Sequence, residues 1–312
     1  MTGDVTGPSE PSAPETSHCG FVAILGAPNA GKSTLVNRAV GQKVSIVSPK
    51  VQTTRSRVLG IVMRDATQIV LIDTPGIFAP RRRLDRAMVA AAWGGAADAD
   101  AIVLIVDAAR KHRDEETDGI IAGLKAQNRK AILALNKIDL VKRAKLLALT
   151  AELNAEGVFT DTFMISAETG DGVDDLLAHL ARLMPEGPHH FPDDQVTDAP
   201  VRALAAEITR EHLFRQLQQE LPYALTVETD SWEEFDDGSA KLQQTVFVAR
   251  DSQKAIVVGK GGSRIKSVRE AAQKELEQLL DRRIHLFLYV KVRENWAEDR
   301  EHFRSLGLDW EA

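Results

Sequence analysis

Eight consecutive residues, Gly26-Ala27-Pro28-Asn29-Ala30-Gly31-Lys32-Ser33, space two glycines, a lysine and a serine in the order G-x-x-x-x-G-K-S. Residues of these types at this spacing bind phosphate. The glycines let backbone N–H groups curl around an anion, and a helix opening just beyond them adds the positive end of its dipole. Lys32 is predicted to reach the β and γ phosphates of a nucleotide and the Ser33 hydroxyl to hold Mg²⁺. Gly26, Pro28, Asn29, Ala30, Gly31 and Thr34 complete the cradle. The setting agrees, because an apolar run, FVAIL (21–25), precedes the loop and a helical pattern, STLVNRAV (33–40), follows it.

Three further strings have complementary chemistry. Asp73-Thr74-Pro75-Gly76 closes the run TQIVLID (67–73). An acid there can hold a Mg²⁺-bound water, and the Gly76 amide can meet a γ-phosphate. Asn136-Lys137-Ile138-Asp139 closes AILALN (131–136). The Asp139 carboxylate can accept from N1–H and the exocyclic amine of guanine, donors that adenine lacks, so it selects GTP over ATP. The Lys137 stem can lie along the base, and Asn136 can brace the phosphate loop. Ser166-Ala167, after TFMI (162–165), places a backbone N–H for guanine O6. A second hydroxyl on the metal side must come from SPKVQTTR (48–55), which offers Thr53 and Thr54; Thr54 is favoured, and spacing does not exclude Thr53. The catalytic set is therefore Lys32, Thr54 and Gly76, and the metal set is Ser33, Thr54 and Asp73, the last through water.

The elements that must position these strings follow from the apolar pattern. FVAILG, TQIVLID, AIVLIVD (101–107), AILALN and TFMIS (162–166) are short and apolar, as strands buried on both faces are. They alternate with helical, charged stretches, which predicts a doubly wound, mainly parallel α/β sheet with each string at a strand's C-terminal end. RVLGIVMRD (57–65) is expected to pair antiparallel with TQIVLID at the edge. A Pro-, Gly- and acid-rich stretch, PEGPHHFPDDQVTDAP (185–200), reads as a linker. His189 and His190 in it read as loop histidines rather than metal ligands, because no Cys or third His lies near. Beyond it, helix 201–221, strands 224–232 and 241–250, DSQKAIVV, the loop Gly259-Lys260-Gly261-Gly262, a helix from Ser263 to about Leu280 and a strand over 282–292 predict a smaller α+β domain in the order α-β-β-α-α-β. The domains are thus a disordered tail (1–18), a nucleotide-binding domain (19–184), the linker (185–200) and a second, α+β domain with a C-terminal helix or tail (201–312).

Composition bounds the rest. Hydrophobic residues make up 44% and charged residues 27% of 312, enough for a packed core. The net charge of -6 excludes a surface coated in positive charge but not a local basic patch. Cys19 is the only cysteine, so no intramolecular disulfide forms, and it reads as an inert residue of the tail in a reducing, cytoplasmic setting. The polar first residues lack a signal core, and no apolar run reaches the ~20 residues of a membrane span.

GAPNAGKST, SPKVQTTR, DTPGI, NKID and SA together resemble the translation-factor-like small GTPases, and specifically the Era family. The resemblance runs from about Gly20 to Leu308: PEGPHHFPDDQVTD is similar to that family's linker and IVVGKGGSRIK to its type II KH domain. It implies binding of GTP and GDP with Mg²⁺, binding of single-stranded 16S ribosomal RNA, and a role in late assembly of the 30S subunit. It also implies peripheral contact with the inner face of the membrane. A monomer is expected, with no DNA among its partners. Gly259, Lys260, Gly261 and Gly262 can clamp an RNA backbone, with Arg264, Lys266 and Arg269 on phosphates and the Ile256, Val258 and Ile265 side as a groove for bases. The same segment also reads as a plain helix–helix turn with a solvated charged face.

The hydrolytic machinery shows a gap. After Asp-x-x-Gly, Ras-like GTPases carry a water-orienting Gln, and here Ile77 stands in its place. Asn29 is similar to the Asn of GTPases that recruit K⁺; the alternative is a hydrogen bond within the loop. Arg81-Arg82-Arg83 reads as a solvated run or as a contact for RNA or a ribosomal partner. Competing readings are an ATP-dependent phosphotransferase, a GTPase whose last domain docks on a protein or membrane surface, and a different ribosome-assembly or tRNA-modification GTPase.

Overall fold

The computed structural model describes residues 16–48, 53–80, 82–218 and 221–312. Most of the expected tail, the central part of the loop 48–55 and Arg81 lie outside them. Six strands, β1 (His18–Leu25), β2 (Val58–Arg64), β3 (Thr67–Asp73), β4 (Ala101–Asp107), β5 (Ala131–Asn136) and β6 (Phe159–Met164), form one sheet in the order β2-β3-β1-β4-β5-β6. All neighbours are parallel except β2 and β3. The helices between them are α1 (Lys32–Val40), α2 (Arg83–Ala97), α3 (Glu115–Ala126), α4 (Arg143–Asn154) and α5 (Val173–Leu183).

The period-2 alternation of side chains explains the doubly covered sheet. In β4, Val103 and Ile105 join the core under α1 and α5, while Ile102, Leu104 and Val106 join the core under α3. In β5, Ile132 and Ala134 take the first side and Ala131, Leu133 and Leu135 the second. Helix α3 starts where the Asp114 carboxylate accepts from the Thr117 amide at 2.7 Å, and it buries Ile120, Ile121 and Leu124, one face at helical spacing.

Two expectations about the N-terminus are corrected. The first strand begins at His18, inside the segment expected to be tail. Cys19 is therefore 4% exposed, packed with Leu59, Val70 and Ile72, and not a tail residue. Pairing explains the extension, because the His18 amide donates to Ala66 and the Cys19 amide to Pro185.

The 185–200 stretch lies against the sheet's free edge. The β2 amides of Leu59 and Ile61 donate to the Asp198 carboxylate (3.2 Å) and the Val196 carbonyl (2.9 Å). Gln68, fully buried, accepts from the amides of His190 and Phe191 and donates to the Phe191 carbonyl. An edge strand that would otherwise expose its amides is thereby covered. His189 contacts Asp193 (2.7 Å) and the Ala66 carbonyl (3.1 Å), a structural role that agrees with the loop-histidine reading.

The second domain holds α6 (Val201–Gln216), β7 (Leu225–Glu234), β8 (Ala240–Val248), α7 (Asp251–Val258), α8 (Ser263–Leu280), β9 (Ile284–Val292) and α9 (Arg300–Ser305). Its sheet runs β7-β8-β9, antiparallel then parallel, in the predicted α-β-β-α-α-β order. Helix α6 is shorter than expected: it stops at Gln216, and a 3₁₀ turn over Leu221–Ala224 follows. Leu217 turns extended, at φ -93° and ψ 153°, and closes the helix. Leu242, Val246 and Val248 of β8 face the helices, whereas Phe247 faces the other way. It packs with Trp296, Phe303 and Leu308 and with Leu84, Ala87 and Met88 from α2, which joins the two domains.

Candidate functional site

The predicted strings converge at the C-terminal ends of β1, β3, β5 and β6. A cleft of about 420 Å³ opens there, lined by Pro28, Asn29, Gly31, Lys32, Ser33 and Thr34 on one wall and by Thr53, Thr54, Gly76 and Lys137 on the others. Gly31 has φ 105°, and a Cβ there would stand 2.2 Å from the Asn136 Nδ2. The loop therefore needs glycine for both its conformation and its contact.

Asn136 ties two loops together. It is 2% exposed; its Nδ2 donates to the Ala30 carbonyl at 2.8 Å and its Oδ1 accepts from the Ala167 amide at 2.9 Å. Asn136 thus spans from the phosphate loop to the Ser166-Ala167 loop, where the Ser166 amide donates to the Asp171 carbonyl and the Ala167 amide to Asn136.

Lys32 is 6% exposed and donates to the carbonyls of Gly26 and Ala27, each at 3.0 Å. Burial pulls its ammonium down to about 8, against the upward pull of Asp73. A buried ammonium of this kind gains by meeting a phosphate anion.

Opposite it, Asp73 is fully buried. Its Oδ2 accepts from Ser33 (2.7 Å), Ser45 (2.7 Å) and Thr54 (3.3 Å), and the Ser33 and Thr54 hydroxyls lie 3.0 Å apart. Burial raises the Asp73 carboxyl, with the Ser45 and Ser33 hydrogen bonds opposing. Its Oδ1 has no partner. An orphaned, buried carboxylate oxygen beside two hydroxyls is an all-oxygen donor set of the hard kind that Mg²⁺ takes. The residues present fit that ion. Thr53, by contrast, turns its hydroxyl to the Ser48 carbonyl at 3.4 Å.

The base end of the cleft is set by Lys137, in the left-handed region at φ 66°. Its ammonium contacts the Asn29 carbonyl at 3.0 Å and the Asp107 carboxylate at 2.6 Å. Asp139 follows on an exposed 3₁₀ turn, outside the cleft lining. Ile77, at the place of a water-orienting Gln, is 7% exposed and sunk in the core. It presents no polar group to the cleft.

Ser45 and Asp107 were not singled out in the sequence. Nothing distinguishes Ser45 from other loop serines; it reaches Asp73 because Asn37 of α1 grips its amide and carbonyl. Asp107 did carry a signal, since it ends an apolar strand as Asp73 does.

In the second domain, Gly259, Gly261 and Gly262 all have positive φ. A Cβ at Gly261 or Gly262 would meet nothing, so that side of the loop is open. Lys260 and Lys266 are exposed beside it. The Arg264 guanidinium donates to the Ile256 carbonyl at 2.5 Å. Ile256 is 49% exposed, whereas Ile265 packs into the core. Among the described residues no cluster of His, Cys, Asp and Glu could hold a metal of its own, and no helix is long and apolar enough to cross a membrane.

A doubly wound sheet with a phosphate loop, a strand-end acid, an Asn-Lys-x-Asp string and an appended α-β-β-α-α-β domain defines a phosphate-loop GTPase that carries a KH domain. Residues 21–137 match the model of the family described as 50S ribosome-binding GTPase, and residues 220–297 match that of the KH domain. The chain is 55% identical over 303 residues to the GTPase Era of Afipia carboxidovorans, covering 97% of each chain. It is 57% identical over 291 residues to the GTPase Era of Sinorhizobium medicae, covering 93% of this chain and 94% of that one. A structure of Era in complex with MgGDPNP and nucleotides 1506–1542 of 16S ribosomal RNA superposes with a TM-score of 0.87 at 37% identity, covering 93% of this chain and 99% of that one. An Aquifex aeolicus Era variant bound to GDP and AlF4⁻ does so equally, at 36% identity over the same shares. The chain belongs to the Era family of GTPases.

Proposed function

We propose that this GTPase is a slow molecular switch that grips single-stranded 16S ribosomal RNA with its KH domain while GTP is bound, and acts as a monomer in assembly of the 30S subunit. The observation that carries the reading is the oxygen cluster of Ser33, Thr54 and Asp73 beside the buried Lys32 at one cleft. The relative solved with MgGDPNP and a 16S fragment supports the choice of nucleotide, metal and RNA. Contact with the inner membrane surface belongs to the same proposal.

Water attacks the γ-phosphate in line. Lys32 and the loop amides of Gly31 to Thr34, together with Gly76, draw off the charge that develops on the phosphate oxygens. Ser33 and Thr54 would hold Mg²⁺ directly and Asp73 through a water; the ion supplies neutralisation of the β and γ oxygens. Asn136 and Lys137 hold the base end, and Asp139 selects guanine by accepting its two donors. With Ile77 packed in the core, this chain supplies no base at that position, so intrinsic turnover of about 10⁻⁴–10⁻² s⁻¹ is expected. K⁺ held near Asn29 would supply part of the missing charge.

Gly259 to Gly262 and Lys260 clamp the RNA backbone, and Lys266 adds a phosphate contact. The test is footprinting of 16S RNA with the full chain in a non-hydrolysable GTP analogue or in GDP. Protection of a single-stranded end with the analogue, lost in Lys260→Glu, is expected. Protection independent of Lys260, or absent from that RNA, refutes the reading.

A further inference from the structure

The segment that presents Thr54 to the metal side of the cleft is held from the other domain. Arg210, on α6, is 1% exposed, and its Nη2 donates to the carbonyl of Thr53. The same guanidinium is braced by Glu207, one turn earlier, and lies 4.8 Å from the Phe214 ring centroid. On the other side of Thr54, Arg55 is 2% exposed and donates to the Leu225 carbonyl at the start of β7 at 2.8 Å. Its guanidinium sits 5.9 Å and 5.5 Å from the Phe214 and Trp296 rings. Both chain neighbours of Thr54 are thus clamped by residues beyond 200, while its own hydroxyl faces Ser33 and Asp73.

We infer that Arg210 and Arg55 are positioning residues for GTP hydrolysis: the KH-bearing domain, through the Thr53 carbonyl and the Arg55 side chain, holds Thr54 at the Mg²⁺ end of the cleft. The inference rests on the assignment of Thr54 above. Physically, consecutive Cα atoms are about 3.8 Å apart, so a held carbonyl at position 53 leaves the next hydroxyl little freedom. A misplacement of about 1 Å in a catalytic arrangement can cost about a hundredfold. Burying two guanidiniums is costly unless they are engaged, and each spends a charge-assisted bond on a backbone carbonyl of or against this segment. Domain docking alone would be served as well by apolar contacts such as Phe247 on Met88.

The test compares the full-length wild type with Arg210→Met, Arg210→Lys and Thr54→Ala. Methionine keeps an apolar stem against Phe214 but donates no hydrogen bond. Three quantities are read: affinity for a non-hydrolysable GTP analogue relative to GDP in saturating Mg²⁺, kcat and KM for GTP, and amide exchange at 53–55. Thr54 would ligate only in the triphosphate state, because γ-phosphate contacts are what order such a segment. Arg210→Met is therefore expected to lower the analogue-to-GDP affinity ratio about tenfold and to speed exchange at 53–55, with Arg210→Lys recovering part of both. Thr54→Ala should lower the ratio likewise. A normal ratio in Arg210→Met with a lowered one in Thr54→Ala overturns the inference alone. A normal ratio in both overturns the Thr54 assignment and the inference with it. If Arg210→Met fails to fold, Glu207→Ala, which releases the guanidinium from its brace, replaces it with a smaller shift of the same sign expected.

Discussion

Replacing Asn136 with Ala removes a buried side chain that ties the phosphate loop to the loop after β6. The amide makes two buried contacts, to the Ala30 carbonyl at 2.8 Å and from the Ala167 amide at 2.9 Å. Truncation leaves both backbone groups facing a void, and an unpaired buried donor or acceptor costs about 1–3 kcal/mol. Two such groups give about 2–6 kcal/mol; taking about 3 as the part not relieved by relaxation corresponds to a factor of roughly 150 in affinity. The loss should appear in nucleotide binding more than in global stability, because the two loops are anchored elsewhere by the sheet and only their mutual register depends on Asn136. A titration of fluorescent GDP measures the first and urea unfolding the second. Asn136→Asp is the sharper control: it keeps the acceptor for Ala167 but turns an oxygen toward the Ala30 carbonyl, so it should bind no better than Ala. Gly31→Ala attacks the same contact from the other side, with a Cβ 2.2 Å from Nδ2. If Asn136→Ala binds GDP within about threefold of wild type, the brace is not what aligns the cleft.

Three other outcomes are expected. Asp139→Asn should weaken GTP binding by about a hundredfold or more through loss of the paired acceptor, with an unchanged Tm because the residue is exposed; equal affinity for wild type and variant by calorimetry would remove its role. Hydrolysis should run faster in K⁺ than in Na⁺ at equal ionic strength, and equal rates would leave Asn29 with only a hydrogen bond in its loop. His302, 4% exposed with neither ring nitrogen hydrogen-bonded, is pushed down to about 4 by burial first and by Arg55 second. The unfolded chain then takes up a proton near 6.5 that the folded chain refuses, so stability is full above that pH and falls by up to about 3 kcal/mol as pH drops toward 4. Urea unfolding across that window should show the slope in wild type and lose it in His302→Phe; identical slopes would show that another group is responsible.

Much of the site was legible in the chain because its chemistry is written locally. Gly26 to Ser33 is a contiguous stretch whose backbone does the binding, so strand, loop and helix follow from eight residues and their flanks. Asp73 and Asn136 were readable for a related reason: each ends an apolar run, and in a parallel sheet all such ends lie on one side. The order of the second domain was readable from alternation and from its GKGG loop. The end of α6 was not, since its helical pattern runs on past Gln216 while the backbone turns extended at Leu217.

What the sequence by itself determined is the nucleotide-binding topology: which strands are buried, where their loops emerge, and which loop residues can meet phosphate, metal and base. Packing alone decided between Thr53 and Thr54 as neighbour of Ser33, recruited Ser45 to Asp73, paired Lys137 with Asp107, and brought the Arg264 guanidinium to the Ile256 carbonyl. It also brought Arg210 to the Thr53 carbonyl and the Arg55 side chain to the Leu225 carbonyl, each across more than 150 residues. The physical reason is range. A backbone conformation and an apolar period are set within a few residues, but the partner of a buried polar group is whatever the closed core brings within 3 Å of it, and no local pattern encodes that.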